Sequence, residues 1–558
     1  MSQRIFSYVN NSQLRSKLFR NIPKRIESSF LPINVKISAF SSLSSNCVHS
    51  PTQNVQSGRV HRPSLGKVEG RSLSKSTDYK KFGVRSFYTN SRICRAYSTY
   101  SGSRDLLDIE PNEFVKFLKE KNIQRCYMVH DPDLEKPVVS HRELQEFAEF
   151  FAQDKIDYRQ HEGVFMEIGP RSNCLLGAFV WNTNRGQACG GIRLWQYTKM
   201  ETYIRDGLRL AFGMGVKSAL AGLWAGGGKG VVAEPLGMKH LDPEFREKLF
   251  YDYGELLSSL NGCYVAAEDV GLNVADLNNV HLKTRYTTCI GEDLGGSGNP
   301  SIATGKGVVS AMEGAIDFLD MGSLNGKTVA IQGAGNVAVV IIEELLERGV
   351  GHIYVSECNQ LRLEDAQDLF RGKADGRLTL MKVPLDDTSI MEYDCDILSP
   401  CALGNCLNKD TIPKIGARII CGAANNQLGC DDDNQLLADR NITYVVDFLA
   451  NRMGIVNCAN EAYGRLPDDP AIDRHFTEDW ENSIYHMTKK ILQKAEEEKI
   501  TPHKAAMEIA AHMSRQLHPI WPNRSQKIIR SLVDMGWHRG DDYWRSSLNH
   551  PIGSTERL

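Results

Sequence analysis

Residues 327–357 constrain the fold more than any other stretch of the chain. Lys327 to Gln332 is a short β-rich run, Gly333-Ala334-Gly335-Asn336-Val337-Ala338 is a glycine turn, an apolar helical run continues to Arg348, and Ile353-Tyr354-Val355 is a second strand. Strand, turn, helix and strand in that order make one βαβ unit, and such units build parallel sheets. The first glycine permits the tight turn and the second lets the backbone approach a pyrophosphate. Alanine in the third place still allows close packing of helix on strand. The helix start at Asn336 offers free N–H groups and a partial positive charge to phosphates. Glu357 closes the second strand 24 residues after Gly333, where a carboxylate accepts hydrogen bonds from a ribose 2′-OH and repels a 2′-phosphate. The stretch therefore predicts a Rossmann-type unit that takes NAD in preference to NADP. Gly333, Gly335, Asn336, Val337, Ala338 and Glu357 are its cofactor-binding residues.

The rest of the chain is organised around that unit. Its 558 residues suit two or three domains, and no run is long and apolar enough for a membrane span. Charge divides it sharply. Residues 1–97 carry seventeen Lys and Arg against three acids, a net of +14, with nineteen serines, while the remainder holds 49 basic and 65 acidic residues. Basic, serine-rich and acid-poor describes a transit peptide, and Arg95-Ala96-Tyr97-Ser98 resembles a mitochondrial processing site with Arg three residues before the cut. The expectation is a disordered targeting segment over 1–97 and a mature protein in the mitochondrial matrix. A basic tail that binds nucleic acid is the alternative, but the segment has neither a continuous charge block nor interleaved aromatics.

From Asp105 the texture becomes globular. Val164 to Met166 and Leu175 to Trp181 read as strands. Ile204, Leu208, Ala211, Phe212 and Gly215 fall at helical spacing, which predicts a helix from Met200 to about Lys217. Ile397-Leu398, Ile419-Ile420 and Tyr444 to Val446 are expected as further parallel strands, and 478–498 and 502–517 as helices, with Thr501 capping the second. The fourteen cysteines lack paired metal-site spacing. Cys395, Cys401 and Cys406 come nearest, and the expectation is no metal.

Two further constellations carry chemistry. Lys217 and Lys229 flank the run Gly226-Gly227-Gly228. Two lysines in one cleft repel each other, and desolvation adds to this, so one pKa is expected to fall far enough for general-base work. The glycines are expected to strip away neighbouring side chains so that a ligand reaches the ammonium. Glu268 and Asp269 end the apolar stretch Ala266-Ala267. Taken alone, those acids are better explained by a turn or helix cap.

Together these stretches resemble the glutamate/leucine/phenylalanine/valine dehydrogenase superfamily, most closely its leucine and phenylalanine branch. The resemblance runs from about His161 to Gly464 through GQACGGIRLWQY (186–197), GMGVKSALAGLWAGGGKG (213–230), AAEDVGLNVADL (266–277) and SGNPSIATGKGV (297–308). It continues in IQGAGNVA (331–338), CDILSPCALGN (395–405), CGAANNQL (421–428) and IVNCANEAYG (455–464). It implies an α/β protein of two domains, a substrate domain over 105–298 facing a doubly wound NAD-binding domain over 299–465, with helices over 466–545 packing back on the first. A homo-oligomer acting on a small molecule, an amino acid and its 2-oxo acid, is implied as well.

Residue roles follow from the same resemblance. Lys217 binds the substrate α-carboxylate, Lys229 is the catalytic lysine, and Asp269 moves protons to and from the amino nitrogen. Thr304 and Asn425 lie at the nicotinamide, and Asn426, Gly190 and Gly191 at the substrate. Hydride leaves Cα, water activated by Lys229 adds to the resulting iminium, and ammonia departs. Glutamate-specific relatives carry a lysine just before the two glycines, whereas this chain has Cys189. Ala267, Ile455 and Cys458 complete a small apolar pocket, so a leucine, valine or isoleucine-like side chain is expected. One departure is the loop Asn451-Arg452-Met453-Gly454, where the apolar-substrate branch reads Asn-Ala-Gly-Gly. Arg452 reaching the pocket would favour glutamate, and a catalytically silent NAD-binding paralogue is the remaining alternative.

Overall fold

The computed structural model describes residues 105–540 apart from 236–241, 431, 465 and 467. The targeting segment expected over 1–97 lies outside the described residues, as do 541–545 of the expected C-terminal unit.

Two sheets organise the chain. The first is seven-stranded in the order β2-β1-β3-β4-β6-β5-β7. Its strands are β1 (Arg125–Asp131), β2 (Lys136–Val139), β3 (Gly163–Ile168), β4 (Leu175–Val180), β5 (Ala188–Trp195), β6 (Gly226–Ala233) and β7 (Tyr264–Glu268). Its β1–β4 half is antiparallel, and β5 lies parallel between β6 and β7. The second sheet has the order β10-β9-β8-β11-β12-β13. It comprises β8 (Thr328–Gln332), β9 (His352–Glu357), β10 (Leu378–Lys382), β11 (Ile397–Pro400), β12 (Ile419–Ile420) and β13 (Thr443–Tyr444), all in parallel register. β8 lies between β9 and β11, so the strand order reverses beside it, and ligands of doubly wound sheets bind at that crevice.

Local chemistry explains why these elements form. β3, β4 and β6 are buried along their whole length, as continuous apolar or small-residue runs require. Helix Met200–Leu220 packs on β6, and glycines set the distance. A Cβ on Gly227 would lie 2.3 Å from the Ala211 carbonyl oxygen and 2.8 Å from the Gly215 Cα, and one on Gly228 would lie 2.6 Å from the Tyr264 ring. The expectation that the glycine run clears a path for a ligand is therefore corrected. The run opens a central strand, and its missing side chains let a helix and a tyrosine close onto the sheet.

The helix expected from residue 478 begins at Ile484, because the Ser483 side chain accepts from the His486 N–H and caps it there. Thr501 caps Pro502–Ser514 as expected, accepting from the Lys504 N–H. The C-terminal helices do not all return to the first domain. Helix Ile484–Glu498 packs on helix Ser301–Phe318, and Pro502–Ser514 packs on Met200–Leu220. Further on, Ile529, Leu532 and Trp537 enter the core of the first sheet, where the Trp537 indole N–H donates to Ser259 Oγ at 2.9 Å.

Candidate active site

β5, β6, β7 and helix Met200–Leu220 converge on one charged cluster. Lys229 sits on β6 at 2 % exposure. Its Nζ lies 2.7 Å from Oδ2 of Asp269, the residue directly after β7. The same carboxylate oxygen accepts from Arg193 Nε at 3.2 Å. Arg193 in turn donates twice from Nη1 to Asp206, at 3.0 and 3.2 Å, and the Tyr197 hydroxyl donates to Asp206 at 2.7 Å.

The electrostatics follow from this geometry. Burial drives the Lys229 amine below the usual lysine range; Asp269 opposes that, and the Arg193 guanidinium adds to it. Burial pushes the Asp269 carboxyl upward, but Lys229 and then Arg193 outweigh it and hold it below the usual carboxylate range. Lys217 is also lowered, first by burial, against the pull of Asp447 and Asp269, with Lys229 the smallest contribution. Mutual repulsion of the two lysines is expected from the sequence together with desolvation. Desolvation dominates, and the cation acting on Lys229 is Arg193.

Arg193 is the functional residue that the sequence reading quoted without assigning it a role. A signal was present, because residues two apart on a strand share a face. Arg193 therefore lies on the face of Cys189 and Gly191, whose register partners on β7 are Val265 and Ala267. Both site glycines have steric reasons to be glycine. A Cβ on Gly190 would lie 1.9 Å from the Gly228 carbonyl oxygen, and one on Gly191 would lie 2.5 Å from Asp269 Cβ. Burial pushes the Cys189 thiol up to about 12, so it stays neutral.

The other side of the cluster comes from beyond the second sheet. Lys217 Nζ donates to Asn425 Oδ1 at 3.3 Å, and that oxygen also accepts from Asn451 Nδ2 at 2.8 Å. Asn425, expected at the nicotinamide, is thus the asparagine that meets the substrate-side lysine. Asn426 holds a left-handed backbone, φ 53°, and its N–H donates to Asp447 Oδ2 at 2.7 Å. Ala267 packs against the buried cluster that contains Cys458. Ile455 is half-buried on helix Met453–Glu461. The Thr304 hydroxyl donates to the Pro300 carbonyl at 2.9 Å, and a Cβ on Gly454 would sit 3.7 Å from that hydroxyl.

Arg452 does not reach this site. It is 0 % exposed. Its Nη1 donates to the Leu220 carbonyl at 2.7 Å, and its Nη2 lies 2.9 Å from His475 Nδ1 and donates to the Asn482 carbonyl. Burial lowers the guanidinium to about 9 and the His475 imidazole to about 2, with Arg452 adding to the latter. The expectation that Arg452 could pair with a substrate carboxylate is therefore corrected. Its cation caps the carbonyl end of helix Met200–Leu220, where the helix dipole is negative.

At the end of β8, Gly333 has φ +93°, a left-handed backbone that glycine adopts freely. A Cβ on Gly335 would meet only the Arg362 guanidinium, at 3.6 Å. Helix Asn336–Glu347 begins behind it with no side chain capping its N–H groups. An open turn in front of uncapped donors fits a pyrophosphate. Asn336 is exposed at the helix start, Val337 is half-buried, and Ala338 packs into the core. Glu357 is 4 % exposed and accepts from the Ala334 N–H at 2.7 Å and the Asn359 N–H at 2.6 Å. Burial raises its carboxyl, but those two donors prevail and hold it below the usual range. Glu357→Ala is expected to raise kcat/KM with NADP relative to NAD, and to weaken both because the Ala334 donor loses its acceptor. Steady-state kinetics with each cofactor check this, and an unchanged ratio counts against a selector role for Glu357.

A doubly wound dinucleotide domain beside a lysine–aspartate cluster defines a dehydrogenase, and the comparisons name its family. The sequence profile of the Glutamate/Leucine/Phenylalanine/Valine dehydrogenase family matches residues 295–518, and that of the Glu/Leu/Phe/Val dehydrogenase dimerisation domain matches 177–286. The chain is 40% identical to the leucine dehydrogenase of Bacillus subtilis over 286 residues, covering 51% of this chain and 74% of that one. It is 36% identical to the valine dehydrogenase of Streptomyces coelicolor over 366 residues, covering 65% and 94%. Among solved structures, the L-tryptophan dehydrogenase of Nostoc punctiforme is similar with a TM-score of 0.53 at 30% identity, covering 66% of this chain and 97% of that one. The chain belongs to the Glu/Leu/Phe/Val dehydrogenase family and is an NAD-dependent amino-acid dehydrogenase.

Proposed function

We propose that the protein oxidatively deaminates an L-amino acid with a branched aliphatic side chain to its 2-oxo acid and ammonium. The observation that carries this reading is the fate of Arg452. With its guanidinium turned to the Leu220 and Asn482 carbonyls, the proposed pocket positions Cys189, Ala267, Ile455 and Cys458 supply no cation for a second carboxylate. Burying an unpaired carboxylate costs several kcal/mol, whereas an aliphatic side chain gains about 0.8 kcal/mol per buried methylene. That the relatives are leucine and valine dehydrogenases supports the same choice.

In this reading Lys217 holds the α-carboxylate and Asn425 steadies the ammonium. Asp269, held ionised by Lys229 and Arg193, takes a proton from the substrate nitrogen. Lys229, with its amine depressed by burial, takes one from the water that adds at Cα. NAD supplies the hydride acceptor. The buried Lys229–Asp269 pair speaks against a silent paralogue, since two charges taken out of water stabilise the fold little.

The test is an amino-acid screen by NADH formation. A discrimination of ~3–4 kcal/mol would give branched aliphatic substrates a kcat/KM a few hundred-fold above glutamate. Cys189→Lys should raise activity on glutamate. Wild-type enzyme that prefers glutamate would sink the proposal. A homo-oligomer is part of the same proposal, supported by the match to a dimerisation domain, and a monomer by light scattering would speak against it.

A further inference from the structure

The cysteine pair Cys289 and Cys458 stands outside every role assigned so far to a reacting group. Their Sγ atoms are 2.6 Å apart, although the residues are 169 positions apart in the chain. A disulfide bond is about 2.05 Å long, so little movement separates this contact from a covalent one. The backbone of Cys289 is left-handed, φ +63°. That conformation is unfavourable for a residue other than glycine, and strain of this kind marks places where a side chain is held for a purpose. The two segments are also clamped together. Glu461, three residues beyond Cys458, accepts from the N–H groups of Cys289 at 3.0 Å and Ser297 at 2.9 Å and from the Ser297 hydroxyl at 2.6 Å.

We propose that Cys289 and Cys458 are an oxidation site that takes hydrogen peroxide and closes to a disulfide, stapling helix Met453–Glu461 to the segment after β7. The two sulfurs share a hydrogen bond that holds the Cys289 thiol below its ordinary range and pushes the Cys458 thiol above it, so the thiolate forms on Cys289. The Cys289 thiolate attacks one peroxide oxygen and expels hydroxide, giving a sulfenic acid. The Cys458 sulfur then attacks the Cys289 sulfur, its proton passes to the departing oxygen, and water leaves. Two thiols lose two electrons, and one peroxide becomes two waters. Both residues are buried, at 3 % and 9 % exposure, which closes them to bulky disulfides and leaves only a small oxidant to test.

The consequence for turnover rests on the pocket reading above, because Met453–Glu461 carries Ile455 and Cys458. A helix stapled to the first domain can no longer shift as substrate enters or product leaves. Formation of the bond does not depend on that reading.

Full-length protein treated with hydrogen peroxide, then alkylated and digested without reductant, should yield a linked peptide joining Cys289 to Cys458. Dehydrogenase activity should fall in proportion to the linked fraction and return with dithiothreitol. Cys289→Gly suits the left-handed backbone and removes one thiol, so it should keep basal activity and resist peroxide. Both thiols still alkylatable after treatment would overturn the site, whatever the substrate proves to be. A fully linked pair with unchanged turnover, or a Cys289→Gly variant inactivated as fast as wild type, would overturn the control.

Discussion

Lys229→Ala should lower kcat by ~10²–10⁴-fold, the usual worth of a positioned general base, while NADH still binds. The loss is expected to be large because Lys229 has no substitute. Its amine is walled in by β6 and faces Asp269 at 2.7 Å, and Lys217 is engaged with Asn425. The cofactor cradle is at the end of β8 on the other sheet, so fluorescence titration with NADH should give a nearly unchanged affinity. The wild-type pH profile carries the same information. Only the neutral amine accepts a proton, so kcat should climb with pH. Burial and Arg193 favour the neutral form, which places that rise below the ordinary lysine range. A variant that retains more than about a tenth of wild-type kcat is incompatible with general-base catalysis by Lys229.

Arg452→Ala should cost roughly 3 kcal/mol or more of stability, because it strands buried acceptors that cost ~1–3 kcal/mol each when unpaired. The Leu220 and Asn482 carbonyls lose their donor, and the large side chain leaves a cavity. Lys217 is one turn before Leu220 on the same helix, so KM for the amino acid should rise more than kcat falls. The ratio of activity on leucine to activity on glutamate should stay as it is. Urea unfolding and steady-state kinetics measure both. Unchanged stability with an altered substrate ratio would return Arg452 to the pocket.

Arg452 also shows where sequence reasoning runs out. Its partners are two main-chain carbonyls, at the end of one helix and before another, and the His475 ring, and no residue pattern encodes that combination. The helix expected from 478 starts six residues later because the Ser483 side chain caps it there, and the arginine takes the carbonyl just before that cap. The glycine turn at 333–338 was legible because a left-handed φ and an uncapped helix start need those residues whatever the surroundings. The run at 226–228 was not, since glycine serves a loop and a closely packed strand equally well and only the approach of Ala211, Gly215 and Tyr264 decides between them. The Lys217, Lys229 and Asp269 positions came from the family likeness. Arg193 was written in the same motif, but its role needed β5 and β7 side by side.

The path of the chain has a consequence for biogenesis. β1 to β7 are made first, the second sheet follows, and only then does Trp537 arrive to fill the first sheet's core, 278 residues after the Ser259 hydroxyl that receives its N–H. The domain synthesised first is therefore completed last. Until the final helices emerge from the ribosome, its early strands wait with an unfilled apolar gap, the kind of exposed surface that chaperones hold. Closing so long a loop also makes the first domain dependent on the presence of the second, so the two halves mature as one cooperative unit.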